Sequence, residues 1–277
     1  MIKPMLAHKL DESRIDWSKN VYMQPKLDGV RCLFTKDGAF SRTGKQFMNV
    51  RHIEEDLEHM FKALPWIILD GELYNHDLKN DFEKIISLVR KQKPTNEDRS
   101  EACRLTQYHV YDYFHDVSQG GVSYSARLDN LTCSDMYTPS IQPVNTHRIR
   151  SYDEAKAKHQ LNLKHGYEGS ILRTDTPYKH GRSYGLMKFK DFHDAEAEII
   201  GWVEGKGKRR GTIGKFIAAD SDGNRFGMPV MNKFKYLQEN FEKMQGWKGK
   251  IATFTYFERT KAKSYRHPLF KALRNYE

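Results

Sequence analysis

The segment MQPKLDGVRC, Met23 to Cys32, puts one lysine two residues ahead of an Asp-Gly pair, with an arginine just beyond it. A lysine attacks only once it has lost a proton. Cationic neighbours favour that loss, and they also meet the negative charge of an electrophile such as a phosphate. Asp28-Gly29 is a turn signal between two runs of strand character, VYM and VRCLF. Lys26 is therefore expected at the mouth of a hairpin-like bend, held by backbone hydrogen bonds on both sides. Four more stretches carry matching chemistry. SRTGK, Ser41 to Lys45, sets Arg42 on a short turn after a strand, and LDGEL, Leu69 to Leu73, ends a strand in two acids, Asp70 and Glu72. YEGSILR opens a strand with Glu168, and LMKFK spaces Lys188 and Lys190 two apart, on one face of a strand. Singly, each has an ordinary explanation as a turn, a solvated strand-end carboxylate or an exposed Lys-x-Lys face.

The elements that must position these residues follow from periodicity. NVRHIEEDLEHMFKAL brings Ile53, Leu57, Met60, Phe61 and Leu64 to one helical face, with Asn49 as N-cap. WIILD reads as a buried strand, DFEKIISLVRK as an amphipathic helix, and the polar KQKPTNEDRSE after it as a mobile loop. LTQYHVYDYF alternates as a strand does. SYDEAKAKHQLNLKHG opens with Ser151 and Glu154 as a capping box and ends at Gly166, a helix marked at both ends. YEGSILRT and YGLMKFK add two strands. Beyond Lys190 the texture changes to short strands between Gly-rich turns, AEAEIIGWVEG, GTIGKFIAAD, NRFGMPV and GKIATFTYFER, with one helical segment, NKFKYLQENFEKM. Five or so strands and one helix suit a small barrel of the OB type. The boundary is placed near Lys190 to Asp194, giving domains 1–190 and 191–277.

Composition limits the function classes. With 277 residues, 38% hydrophobic and 30% charged, the chain can bury a sizeable core and is not of disordered composition. It has no apolar run long enough for a membrane span, and MIKPMLAHKL lacks a signal peptide's apolar core, so no membrane and a cytoplasmic location are expected. Cys32, Cys103 and Cys133 are odd in number and fit neither a disulfide framework nor a zinc spacing. The net charge of +10 favours a polyanionic partner, and from Asp191 onward 17 Lys and Arg face 11 Asp and Glu.

In chain order, KLDGVR, SRTGK, DGEL, YHVYDYF, YEGSILR and MKFK resemble the ordered motifs of the ATP-dependent DNA ligases, members of the covalent nucleotidyltransferase superfamily. PMLA at Pro4 to Ala7 is similar to the start of a ligase adenylation domain. The resemblance implies an α+β chain, an adenylation (nucleotidyltransferase) domain of mixed, largely antiparallel sheets with helices, followed by a small all-β OB-fold domain. It also implies a ligase of minimal form, with no separate N-terminal DNA-binding domain and an OB segment too short for a large inserted hairpin.

The resemblance further implies roles. Lys26 attacks the α-phosphate of ATP to form lysyl-AMP, while Arg31, Lys188 and Lys190 lower its pKa and stabilise the phosphates. Glu72 and Glu168 bind Mg²⁺, or Mn²⁺ in its place, and Asp28 adds a water-mediated contact or only shapes its turn. Gln24, where many relatives carry glutamate, reads adenine. Tyr111, where phenylalanine is common, stacks on it. Arg173 falls where a phosphate-binding lysine is frequent, and Arg42 matches the arginine that grips the 5′-phosphate of the nick. In EGKGKRRGTIGKF, Lys206, Lys208, Arg209 and Arg210 are backbone-phosphate candidates, set against a plain solvated turn. SYRHPLFKALR resembles the last motif, with Arg266 and Arg274 orienting pyrophosphate. The expected partner is nicked duplex DNA and the expected state a monomer, in repair, replication or recombination. The alternatives are an RNA ligase, an mRNA-capping guanylyltransferase, or an inactive nucleic-acid-binding relative. SRTGK and KLDGVR favour the DNA ligase, and the intact set of Lys26, Glu72, Glu168, Lys188 and Lys190 argues against decay.

Overall fold

The computed structural model describes residues 3–115, 121–260 and 263–274. These fall into two compact units, Met1–Phe189 and Lys190–Glu277. The first contains ten strands and five helices among its described residues. In chain order they are β1 (Met5–Lys9), β2 (Val21–Lys26), β3 (Val30–Thr35), β4 (Gly38–Ser41), α1 (Arg51–Ala63), β5 (Ile67–Tyr74), α2 (Phe82–Val89) and α3 (Asn96–Leu105). There follow β6 (Gln107–His115), α4 (Tyr124–Thr132), β7 (Ile141–Pro143), β8 (His147–Ile149), α5 (Tyr152–Lys164), β9 (Gly169–Thr174) and β10 (Gly181–Phe189).

They build two five-stranded sheets, ordered β1-β10-β9-β2-β8 and β4-β3-β5-β6-β7. Among the described residues of this unit only β1 with β10 and β6 with β7 pair in parallel, so the α+β, largely antiparallel architecture is what the chain adopts. One expectation is overturned here. Asp28-Gly29 does not close a hairpin, because β2 pairs with β9 and β8 while β3 pairs with β4 and β5. The turn instead carries the chain from one sheet to the other. Gly29 is needed at that crossing, since a Cβ there would sit 2.4 Å from the Leu73 carbonyl oxygen and 2.7 Å from Glu72 Cγ.

LDGEL does not end its strand either. β5 runs on to Tyr74, with a register shift against β6 between Asp70 and Gly71. Gly71 lies so close to β6 that a Cβ would meet the His109 carbonyl oxygen at 2.4 Å.

Helix α1 buries Ile53, Leu57 and Phe61 at helical spacing against the β3–β5–β6 face. Each such side chain contributes roughly 1.5–3 kcal/mol of burial. Leu64 falls past the helix end and is exposed, and Val50 is the N-cap. Asn49, buried, instead donates from Nδ2 to the carbonyls of Leu88 (3.0 Å) and Asp98 (3.2 Å), tying α2 and α3 to the start of α1. The polar stretch expected as a loop contains α3, opened by a reciprocal Thr95–Asp98 capping box. In α5, Ser151 accepts from the Glu154 N–H at 3.2 Å, and the Glu154 carboxylate accepts from the Arg150 N–H at 2.8 Å, one residue before the cap. Gly166 follows in the left-handed region at φ +85.

The second unit holds β11 (His193–Glu204), β12 (Ile213–Ala219), β13 (Arg225–Pro229), α6 (Phe234–Glu239), α7 (Phe241–Gln245), β14 (Ile251–Tyr256), β15 (Glu258–Arg259), β16 (Tyr265–Arg266) and β17 (Leu269–Leu273). Its five-stranded sheet runs β13-β12-β11-β14-β17 around a core that includes Ile199, Phe216, Met228 and Phe254. The single expected helix is two short ones, broken at Asn240. No helix among the described residues is long and apolar enough to cross a membrane.

Candidate active site

A cavity of about 300 Å³ lies where the two sheets of the first unit face each other. One wall is the end of β2 beside β9. Lys26 is the last residue of β2, opposite Gly169, and its carbonyl accepts from the Glu168 N–H at 3.1 Å. This register sets the Glu168 carboxylate, almost fully buried, in an ion pair with Lys26 Nζ. Lys188 on β10 also lines the cavity, and burial together with the charges of Lys26 and Arg182 holds its ammonium below the ordinary lysine range. Arg182, which no sequence signal marked, lines the same cavity and donates to the Ala7 carbonyl at 2.9 Å.

The other wall comes from β3, β5 and β6. Arg31 stands opposite Glu72 in the β3–β5 register. Its guanidinium, however, forks onto fully buried Asp70 at 2.9 and 2.5 Å, and the Tyr178 hydroxyl donates to the same carboxylate at 2.6 Å. Arg31 therefore brings little net charge toward Lys26, and Asp70 has no oxygen free of a partner to offer a metal. Glu72 is the carboxylate that stays available. The Tyr111 hydroxyl reaches it only at 3.4 Å, and burial, partly offset by Lys26 and Arg31, pushes its pKa up to about 7.

The floor is a closed polar network. Gln24 is buried, donating from Nε2 to the Tyr124 hydroxyl and Thr146 Oγ1, both at 2.9 Å, and accepting at Oε1 from Arg173 Nε at 2.8 Å. Arg173 also donates to Asp112 at 2.6 Å, and Asp112 takes a two-pronged bond from Arg127 at 2.7 and 3.1 Å. Two corrections result. Arg173 lines the cavity, but its Nε and Nη1 donate inside this network, to Gln24 and Asp112, and not into the open space. Gln24 has its side-chain amide committed to protein partners. Tyr111 lines the cavity above them, with the Arg31 and Arg173 guanidiniums 5.6 and 5.3 Å from its ring centre. Asp112, Arg127, Tyr124 and Thr146 were missed as site residues. Asp112 had a signal, alternating with Tyr111 and Tyr113 in YHVYDYF.

Arg42 lines the cavity from an exposed turn, where Gly44 adopts φ +81. Lys190 is a further correction. β10 stops at Phe189, so Lys190 does not share a strand face with Lys188; it belongs to the second unit, its ammonium 4.4 Å from the Phe257 ring centre. In that unit Lys206, Lys208 and Arg210 are exposed, whereas Arg209 donates to the Val230 carbonyl at 3.1 Å. Arg266 donates to Glu258 at 2.5 Å, and Arg274 is paired with Glu196. No group of three or more His, Cys, Asp or Glu converges on a common point among the described residues.

A lysine–carboxylate pair at a cleft between two largely antiparallel sheets, followed by a five-stranded OB unit, defines a nucleotidyltransferase/OB-fold protein. The family model for the ATP dependent DNA ligase domain matches residues 4–190, and the chain belongs to that family. A DNA ligase of African swine fever virus is 27% identical over 230 residues, 77% of this chain and 52% of the relative. The chain thus spans about half the length of these viral relatives. A Haemophilus influenzae DNA ligase is 25% identical over 225 residues, 79% of this chain and 75% of the relative. Among solved structures, a Lig E DNA ligase from a study of DNA binding with a minimal scaffold superposes with TM-score 0.80 at 24% identity, covering 99% of this chain and 100% of that one. The ATP complex of the bacteriophage T7 ligase gives 0.58 at 18% identity, covering 98% of each chain.

Proposed function

We propose that this chain seals 3′-OH/5′-phosphate nicks in duplex DNA at the expense of ATP. The observation that carries the reading is Lys26 paired with buried Glu168 at one end of a cavity whose floor is the Gln24–Arg173–Asp112 network. In the first step Lys26 Nζ, having passed a proton to Glu168 or water, attacks the α-phosphorus. The bond to the β-phosphate oxygen breaks and pyrophosphate leaves with its electron pair. AMP then passes to the 5′-phosphate, and the 3′-hydroxyl displaces it to make the phosphodiester. Lys188 and Arg182 meet the charge on the phosphates. Gln24, held by Tyr124, Thr146 and Arg173, shapes the base pocket, and the Tyr111 ring supplies a stacking face. Arg173 acts through Gln24 as a positioning residue.

The donor set suits Mg²⁺, which takes one or two carboxylates and leaves its other positions to water and substrate phosphates. Glu72 and Glu168 would hold it, or Mn²⁺. Glu72, pushed up to about 7 by burial, is a group that a nearby cation returns to its charged form. When bound, the ion supplies charge neutralisation on the phosphates.

The test is incubation with α-labelled ATP or GTP and Mg²⁺, followed by a nicked duplex. Acid-resistant AMP label that chases into sealed DNA is expected. GMP labelling, or label that moves only to RNA ends, overturns the reading. Arg42→Ala should leave label transfer intact and lower sealing by tenfold or more; equal loss in both steps assigns Arg42 to the nucleotide.

A further inference from the structure

A second cavity, of about 560 Å³, borders the first and shares Arg31, Arg42 and Glu72 with it. Lys45 and Arg90 are the other cations that line it, on two separate elements: the turn after β4 and the end of α2. Arg42, Lys45 and Arg90 make no ion pair with any described residue. Cations close by in the chain are treated differently, since Arg31 pairs with Asp70, Arg51 with Glu55, Lys84 with Glu101 and Lys91 with Asp98. Glu72, on the shared wall, is the one carboxylate among the lining residues.

The backbone beneath the three cations is fixed. The Ser41 N–H donates to the Lys45 carbonyl at 2.8 Å, and the Lys45 N–H donates to Ser41 Oγ at 3.0 Å. Gln92 Nε2 reaches the Gln46 carbonyl at 3.4 Å, and Asn49 holds the end of α2 through the Leu88 carbonyl. Three unpartnered cations on an anchored rim repel one another until an anion lies between them. Two arginines and a lysine suit phosphate oxygens.

We propose that this cavity holds the first phosphodiester inward from the nick, on the strand that carries the 5′-phosphate, with Lys45 and Arg90 as its contacts. The proposal rests on the ligase reading above. Arg42 lies in both cavities, so a strand whose terminal phosphate reaches Arg42 enters the second cavity with its next linkage, about 3.4 Å further along the helix axis.

The experiment compares the unmodified chain with K45A/R90A, measuring affinity for a fluorescent nicked duplex across a salt series, and lysyl-AMP formation without DNA. The double variant should bind about tenfold more weakly, with a salt slope shallower by about 1–2, and keep its rate of lysyl-AMP formation. That retained rate also shows that the variant folds. A duplex with a neutral methylphosphonate at the first linkage should cost the unmodified chain a similar factor and cost the double variant nothing further. The proposal is overturned if the two losses add. It is overturned if lysyl-AMP formation falls as much as nick binding, which assigns the cavity to the outer phosphates of ATP. It is also overturned if Lys164→Ala, on α5 outside the cavity, flattens the slope as much per charge removed. An unmodified chain that takes AMP label but prefers intact duplex to nicks sinks this proposal alone. One that takes no label and seals nothing sinks the ligase reading with it.

Discussion

The floor of the cavity beside Lys26 and the basic turn of the second unit use the same residue types to opposite ends. On the floor, Arg127 and Arg173 are almost completely buried and share one fully buried carboxylate, Asp112. Both guanidiniums have a carboxylate partner inside the protein, which offsets one of the two charges, so these arginines hold shape. In the turn, Lys206, Lys208 and Arg210 are exposed, and only Arg209 is tied back, to a backbone carbonyl that leaves its charge uncancelled. Charge of that kind acts at a distance and is screened by salt. A basic residue in this chain is therefore informative only together with what neutralises it.

The largest effect should come from the wall between floor and rim. Lys26→Ala should abolish label transfer from ATP while the far-ultraviolet circular dichroism stays that of the parent. Residual labelling would mean that Lys188 or another amine can attack. Asp112→Ala is next, because it strands two buried guanidiniums. A loss of about 3–5 kcal/mol in denaturant unfolding is expected, and a loss below about 1 kcal/mol would show that the network is not what fixes the floor.

Glu72 gives a pH test of the same contrast. Its folded-state pKa of about 7 lies above the ordinary 4.5, so the fold favours the protonated form. The stabilisation this brings is complete below pH 4.5 and is lost as pH rises through about 7. Without nucleotide and with chelator present, the parent should lose on the order of 3 kcal/mol across that window relative to Glu72→Gln. Parallel stability curves would remove Glu72 as the titrating group. The smallest effect on the fold belongs to the turn. Replacing Lys206, Lys208, Arg209 and Arg210 by alanine should change stability by less than about 1 kcal/mol, yet flatten the salt dependence of nick binding. A normal slope would make the turn plain solvated surface.

Much of this was legible along the chain. Helix α1 followed from its apolar spacing and α5 from Ser151 and Gly166, and eight of the ten nucleotide-site residues named from sequence line the one cavity. What stayed hidden was pairing. A turn signal at Asp28-Gly29 says that the chain reverses, but not into which sheet. The paired acids of LDGEL looked equivalent, yet Asp70 is consumed by Arg31 and Tyr178 while Glu72 is not. α3 was passed over because its polar composition outweighed a capping box present in the letters, and Ala102 is its one buried residue. Tyr124, Thr146, Tyr178 and Arg182 reach the site from distant segments, which no local pattern could announce.

The order of strands within the two sheets makes one wall separable from the other along the chain. One sheet, β3 to β7, is a single uninterrupted run of chain from Val30 to Pro143, nested between β2 and β8 of the other. The chain leaves at Leu27 and returns at Val144, and those two side chains pack in the same small apolar cluster with Tyr74. The wall bearing Arg31, Glu72 and Tyr111 is thus one continuous segment entered and left through a single doorway, whereas the wall bearing Lys26, Glu168 and Lys188 is assembled from both flanks. Exchanging residues 30–143 between relatives would replace one wall whole and leave Lys26 where it stands.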